Sequence, residues 1–263
     1  MWLKKVNKLM KSLIYILVLL SLFSCSSKQN EFTAIDLRCE YLENPLGLDI
    51  QNPQLFWKME KQGRGAKQTA YQVQVASSEN LLAKDSADFW DSGKVISDQS
   101  IQIKYNGKPL QSGMEVSWRV RIWDEKGEVS SWSKTARWEM ALMKPDQWQA
   151  KWIGATAEIT TGELKYASPF FRKQITLSGK IKKARAYISG LGYYELYING
   201  KKSGDHVLSP NQTNYDSRQL EKWDEQRVGN MNTTVLYETY DITSVLKERE
   251  NSFGVILGNG WYL

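Results

Sequence analysis

The stretch Ala184–Gly204, ARAYISGLGYYELYINGKKSG, limits what this chain can fold into more than any other. Tyr194, Leu196 and Ile198 alternate with Glu195 and Tyr197, the period of two that gives a strand one buried face. Asn199-Gly200 follows at once, and this pair accepts positive φ at both centres of a type I′ hairpin turn. Lys201, Lys202 and Ser203 open a polar return strand, which Gly204-Asp205-His206-Val207 is expected to continue. Upstream, Ala184, Ala186 and Ile188 alternate with Arg185 and Tyr187 as a second half-buried strand. Gly190 and Gly192 bracket a tight connection between the two. The pattern is that of an antiparallel β-sandwich.

The preceding residues read as a separate unit over 33–143. Leu37–Leu42 alternates, Asn44-Pro45-Leu46-Gly47 turns, and Leu55-Phe56-Trp57 and Tyr71–Val75 are further strands. Leu81–Phe89 is the one short helix expected, Trp90-Asp91-Ser92-Gly93 a turn, and Ser100–Tyr105 a strand. Trp118, Val120 and Ile122 alternate with Arg119, Arg121 and Trp123 before the turn Asp124–Gly127. Seven or so short strands at this spacing predict an immunoglobulin-like or fibronectin III-like sandwich, and Ser131-Trp132-Ser133 suits the fibronectin-like version. Lys144-Pro145-Asp146 is a linker, and a second sandwich of jelly-roll type is placed at 148–263. Within it, Ser209–Glu238 is a long polar loop, Tyr240–Thr243 starts a helical turn capped by Asp241 or Thr243, and Ser252–Leu257 is a strand. The whole reads as an all-β chain. Its halt on Trp261-Tyr262-Leu263 straight after a turn predicts the front part of something longer, with the second sandwich incomplete at its C-terminus.

The first residues read as an address. Lys4, Lys5, Lys8 and Lys11 form a positive region, and Leu13–Phe23 is an apolar run short for a bilayer span. Leu22-Phe23-Ser24-Cys25 resembles a bacterial lipobox, which makes 1–24 a lipoprotein signal peptide, Cys25 the lipidated residue and 25–32 a polar tether. The expected location is a membrane-anchored lipoprotein, periplasmic or on the outer-membrane surface. The formal net charge of the 263 residues is +6, and removing the four lysines of the signal leaves +2 (6 − 4). The basic balance is thus no sign of nucleic-acid binding. With Cys25 lipidated, Cys39 has no intramolecular partner, so neither a disulfide nor a cysteine metal site is expected.

Catalytic signals are absent from the motifs. There is one histidine, His206, too few for a histidine-based metal site and expected to be structural. The acids Asp85, Asp88, Asp91, Asp124 and Glu125 cluster in turns rather than across a cleft. No phosphate-binding glycine loop, zinc-protease or serine-hydrolase signature occurs. The 11 Trp and 13 Tyr suit both strands and sugar-binding surfaces.

Ten stretches taken in order resemble the N-terminal region of bacterial α-L-rhamnosidases, the inverting enzymes of glycoside hydrolase family 78. They include LRCEYLENPLGLD (37–49), FWDSGKV (89–95), SWRVRIWDEKGEVSSWS (117–133), WQAKWIG (148–154), GLGYYELYINGKKSGDHVLSP (190–210), YETYDIT (237–243) and GVILGNGWY (254–262). The resemblance implies a fibronectin-like domain, then a β-sandwich described as substrate-recognising. The family's (α/α)₆ barrel with its two catalytic glutamates comes much later, so no catalytic residue carries over and this chain is expected to be inactive alone. Its implied partner is a rhamnose-containing glycan or glycoside. Some of the family's sandwiches hold rhamnose, in certain cases through calcium. By that resemblance Asn199, Asp205, Asn214, Trp261 and Tyr262 are candidate sugar-binding residues, and Asp205 and Asp216, with Asn211, candidate calcium ligands. A stand-alone carbohydrate-binding lipoprotein and the front of a family 2-like glycosidase are the alternatives. The abrupt end disfavours the former, and the extra fibronectin-like module disfavours the latter.

Overall fold

The computed structural model describes residues 32–61, 65–154, 168–211 and 235–258. Among them the chain is nearly all antiparallel β. Two sheets build the first unit. One has the order β1-β2-β6, from β1 (Thr33–Cys39), β2 (Gln54–Glu60) and β6 (Ile103–Lys104). The other runs β4-β3-β7-β8, from β3 (Ala70–Ala76), β4 (Trp90–Asp91), β7 (Glu115–Trp123) and β8 (Ala136–Glu139), with β5 (Val95–Ile96) also on β3. Leu55, Val73, Val75, Val116, Trp118, Val120, Ile122 and Trp138 are fully buried between them. Trp138 meets both Trp118 and Tyr105 edge-on, at ring separations of 6.4 and 5.7 Å, the geometry aromatic quadrupoles favour.

Local chemistry moves several expected boundaries. The helix α1 is Glu79–Ala83, shorter than Leu81–Phe89, because Asp85 turns left-handed at φ +54° and ends it. Trp90–Asp91, read as a turn, pairs with Gln74 and Val75. The strand expected from Ser100 begins only at Ile103, after Gln102 at φ +57°. Trp132 lies between two guanidinium groups, those of Arg119 (4.1 Å) and Arg121 (4.6 Å), which lets these arginines lie against the outer sheet face.

The second unit contains a four-stranded sheet, β12-β11-β14-β9, from β9 (Phe170–Thr176), β11 (Tyr193–Ile198), β12 (Lys201–Lys202) and β14 (Glu250–Gly258). Facing it is a ribbon of β10 (Arg185–Ser189) and β13 (Tyr237–Asp241). Tyr194, Leu196, Ile198, Tyr240 and Ile242 form the core between, with Ala186, Ile188, Phe253, Val255 and Leu257 packed against it. Tyr240 belongs to this strand and not to a helical turn. The turn comes after it, over 243–245, and Asp241 Oδ1 accepts from the Thr243 N–H at 3.0 Å.

The ribbon has two occupied faces. Ala186, Ile188 and Tyr240 point into their own core, while Arg185, Tyr187, Tyr237, Thr239 and Asp241 alternate onto the first unit. There Glu139, 1% exposed, accepts from Arg185 Nε at 2.9 Å and Nη2 at 2.8 Å. Lys183 Nζ is 2.8 Å from the same carboxylate, and Asp241 lies 2.7 Å from Arg185. Trp148, just after the 3₁₀ turn Pro145–Gln147, packs edge-on against Tyr187 and Tyr237 at 6.3 and 4.9 Å. The linker and the ribbon thus join two sandwiches wall to wall.

Candidate functional site

The hairpin β11–β12 forms as its sequence dictates, with Asn199 at φ +52° and Gly200 at φ +80°. The Asn199 side chain is fully engaged. Its Nδ2 donates to the Val245 carbonyl at 2.8 Å and to Asn251 Oδ1 at 2.9 Å, and its Oδ1 accepts from the Ser252 N–H at 3.0 Å. Asn251, 2% exposed, closes the turn between β13 and β14 by donating to the carbonyls of Lys247 and Arg249. This amide pair ties the hairpin to the 243–250 turn.

Beyond Lys202 the return strand stops. Gly204–Val207, expected as strand, is a loop, because Gly204 turns at φ +75° with Tyr240 packed where a Cβ would sit. Asp205 projects into solvent with its side chain fully exposed. His206 is largely exposed too, its Nδ1 3.3 Å from Glu238 Oε1.

Glu238 is a half-buried acid that the motif reading passed over. Ser209 Oγ donates to its Oε1 at 2.7 Å, Tyr194 OH donates to Oε2 at 3.2 Å, and Tyr240 OH donates to Oε2 as well. Burial alone would raise this carboxyl, yet the hydroxyl donors outweigh burial and hold it below the usual carboxylate range. Burial also pushes Tyr240 up to about 12 and raises Tyr194. The only signal in the sequence was the i, i+2 spacing of Glu238 and Tyr240, which places an acid beside a core tyrosine. With its oxygens saturated, Glu238 fastens the 209 loop to the ribbon and is not a free acid for chemistry.

The face of the four-stranded sheet opposite the core is differently built. Tyr193, Glu195 and Tyr197 of β11 point out there. Tyr197 OH donates to Glu195 Oε2 at 2.7 Å, and Lys202 Nζ to Oε1 at 2.5 Å. The Lys202 bond, then the Tyr197 bond, lowers the Glu195 carboxyl. Across the sheet Tyr193 pairs with Gly258, Glu195 with Ile256, and Tyr197 with Gly254. On the far side Ile256 pairs with Phe170, and Gly254 with Arg172.

Of the candidate residues, then, Asn199 is spent on the turn and Asp205 is fully exposed, with only His206 Nε2 near it, at 3.9 Å. Asn211 is described only as exposed backbone beside the cis Ser209–Pro210 bond. Cys25, Asn214, Asp216, Trp261 and Tyr262 lie outside the described residues. Among those described, no group of three or more His, Cys, Asp or Glu is placed to hold a metal ion. Asp205 by itself does not make a calcium cradle, which needs six to eight oxygens.

Residues 34–144 match the Rha78A-like N-terminal immunoglobulin domain, and residues 179–224 and 225–263 match the α-L-rhamnosidase N-terminal domain. An α-L-rhamnosidase of Formosa agariphila is 36% identical over 279 aligned residues, covering 98% of this chain. One from Alteromonas sp. is 34% identical over 83% of it. The chain belongs to the α-L-rhamnosidase family, as its N-terminal region. The structure of the α-L-rhamnosidase from Dictyoglumus thermophilum superposes with a TM-score of 0.74 at 41% identity, over 88% of this chain. That from Aspergillus terreus gives 0.65 at 27% identity, again over 88%. The chain spans only 27% of the Formosa agariphila rhamnosidase and 25% of the Dictyoglumus thermophilum one. What it shares with these rhamnosidases is the pair of β-domains.

Proposed function

We propose that this chain is the non-catalytic front of an α-L-rhamnosidase, an inverting glycosidase that removes terminal α-L-rhamnose, and that its role is substrate recognition and scaffolding. One observation carries the reading: both domains align, in order, with rhamnosidases whose length is almost four times what the chain covers. The two carboxylates held inside the second unit's contacts agree with it. Glu139 is held by Arg185 and Lys183, and Glu238 by three hydroxyls, so neither offers the free acid that glycoside cleavage demands. The test is hydrolysis of p-nitrophenyl α-L-rhamnoside by this chain beside a full-length protein carrying it. Turnover by the longer protein alone supports the proposal, and turnover by this chain overturns it.

Two further parts belong to the same reading. Cys25 is the lipid anchor, so Cys25→Ala should move the protein from the membrane fraction to the soluble fraction. Calcium at the sugar site is held by Asp205 and Asp216, with Asn211. Calorimetric titration of calcium into Asp205→Ala and the unaltered chain decides this, and equal heats overturn it.

A further inference from the structure

The strand β6 is an open edge of the first unit, since among the described strands it pairs with β2 alone. Tyr105 N–H donates to the Pro53 carbonyl at 2.9 Å, and Asn52 Nδ2 supplies the return bond to the Tyr105 carbonyl that proline cannot, at 3.0 Å. Antiparallel rungs alternate, so the rung before it, Lys104 opposite Gln54, carries no hydrogen bonds between the strands. The N–H and C=O of Lys104 therefore point away from β2, and no other described backbone group meets them. Both faces of the sheet are hollow beside this edge. Toward the core, a cleft of about 360 Å³ opens between the two sheets, with Tyr71, Trp90, Val95 and Ile103 lining its depth and the exposed Gln99 and Asn106 at its mouth. Trp57 and Tyr105 hold the Tyr71 and Trp90 rings edge-on, at 5.2 and 5.6 Å. Leu55 and Ile103 take the core face, so their neighbours Gln54 and Lys104 take the outer one. There a groove of about 840 Å³ runs past Gln51, Asn52, Gln54 and Lys104.

We propose that the β6 edge is a docking site for an extended polypeptide segment of another chain, which joins the sheet as a further strand. Side chains of a strand alternate between its two faces, and here the two hollows lie on the two faces beside one unpaired rung. A segment hydrogen-bonded to Lys104 thus drops one side chain into the inner cleft and lays the next along the outer groove. The inner cleft takes an apolar or aromatic side chain, because its deep walls are rings and branched aliphatics. The outer groove selects an acid. Lys104 has no carboxylate paired to it among the described residues. The nearby Asp91 carboxylate is already taken by Gln72, Gln74 and the Gly93 N–H, at 2.6, 2.9 and 2.9 Å. The edge is two residues long and follows the left-handed Gln102 at φ +57°. Backbone pairing alone offers little on so short an edge, and the hollows supply the selectivity.

The test pans a displayed library of random short peptides against the full chain and measures the enriched peptides by fluorescence polarisation. Enriched sequences should alternate apolar with acidic residues. Lys104→Pro removes an N–H that no ladder bond uses, so the fold should survive it, while the peptides should bind at least about tenfold more weakly. Lys104→Gln keeps that N–H and removes only the charge, so it should lose less than Lys104→Pro does. A readout on the unaltered chain needs no variant: saturating peptide should slow hydrogen exchange of the Lys104 amide at least about tenfold, because the amide gains a partner only in the complex. Enrichment of no peptide, equal binding by Lys104→Pro, or an unprotected Lys104 amide in the complex overturns the proposal. Self-association of the unaltered chain that Lys104→Pro abolishes also overturns it, and makes a second copy of this chain the occupant.

Discussion

Glu139→Gln tests the joint between the two units. Glutamine keeps the shape of the side chain and removes its charge, so the substitution leaves the Arg185 guanidinium, only 11% exposed, without its main partner. Removing one member of a buried pair costs about 3–5 kcal/mol. The loss here belongs at the low end, about 3 kcal/mol, because Arg185 keeps Asp241 at 2.7 Å and Lys183 can turn to Glu115, 3.5 Å away. For a chain of this size that corresponds to a fall in melting temperature of about 6–12 °C, read by calorimetry at pH 7. The pH dependence gives a second readout. Burial pushes the Glu139 carboxyl up, but the bonds from Arg185 and Lys183 prevail and its folded pKa lies below the ordinary 4.5. A depressed carboxylate stabilises the fold above its unfolded pKa and loses that contribution as pH falls through the folded value. The gap between the two proteins should thus be constant above about pH 5 and close in stronger acid. A change of less than about 2 °C at pH 7, or a gap that widens with acid, refutes the reasoning.

Gly47→Ala should destabilise the same joint: Gly47 lies at φ +73°, and a Cβ there would come 2.1 Å from Thr239 Oγ1, so about 2–4 kcal/mol should be lost in urea unfolding. Asn251→Ala removes a 2% exposed amide that serves Asn199, Lys247 and Arg249, and should cost about 2–3 kcal/mol by the same measurement. Cys39 is 1% exposed and burial raises its thiol well above the usual range, so mass mapping after maleimide treatment at pH 7.5 should find Cys39 unlabelled until denaturant is added.

The parts of the fold that the sequence made legible are those where one face is buried and the other wet. Tyr194, Leu196 and Ile198 alternate with polar neighbours, and Asn199-Gly200 specifies the turn by its φ values alone, so β11 and β12 could be written down before any coordinates. Trp90–Asp91 was read as a turn because two residues carry no period. Their strand exists only because Gln74 and Val75 offer a ladder, which is a tertiary fact. The candidate site was less legible. Asn199 was noticed for its turn, but its side-chain partner Asn251 is 52 residues away, and no local pattern links them.

The ribbon β10–β13 shows why the joint itself escaped notice. Arg185 and Tyr187 were taken as the wet side of a strand, since a charge and a phenol usually face water. Tyr237-Glu-Thr-Tyr-Asp241 showed no alternation, because both of its faces are occupied. Glu238 and Tyr240 share hydroxyl bonds toward the core, and Tyr237, Thr239 and Asp241 lie on the opposite face, against Trp148, Gly47 and Arg185. A period-two reading assumes that one face is solvent, and it fails wherever a second sheet takes that place. The partner that makes Arg185 affordable is Glu139, a lone acid closing β8, and its own 1% exposure contradicts what its residue type suggests. Each charge is explained only by the other, so the pair is invisible until both strands are placed. The same logic sets apart the sheet's outer face. There alternation holds, the tyrosines stay at the surface, and Gly254 leaves space that no part of the described fold fills.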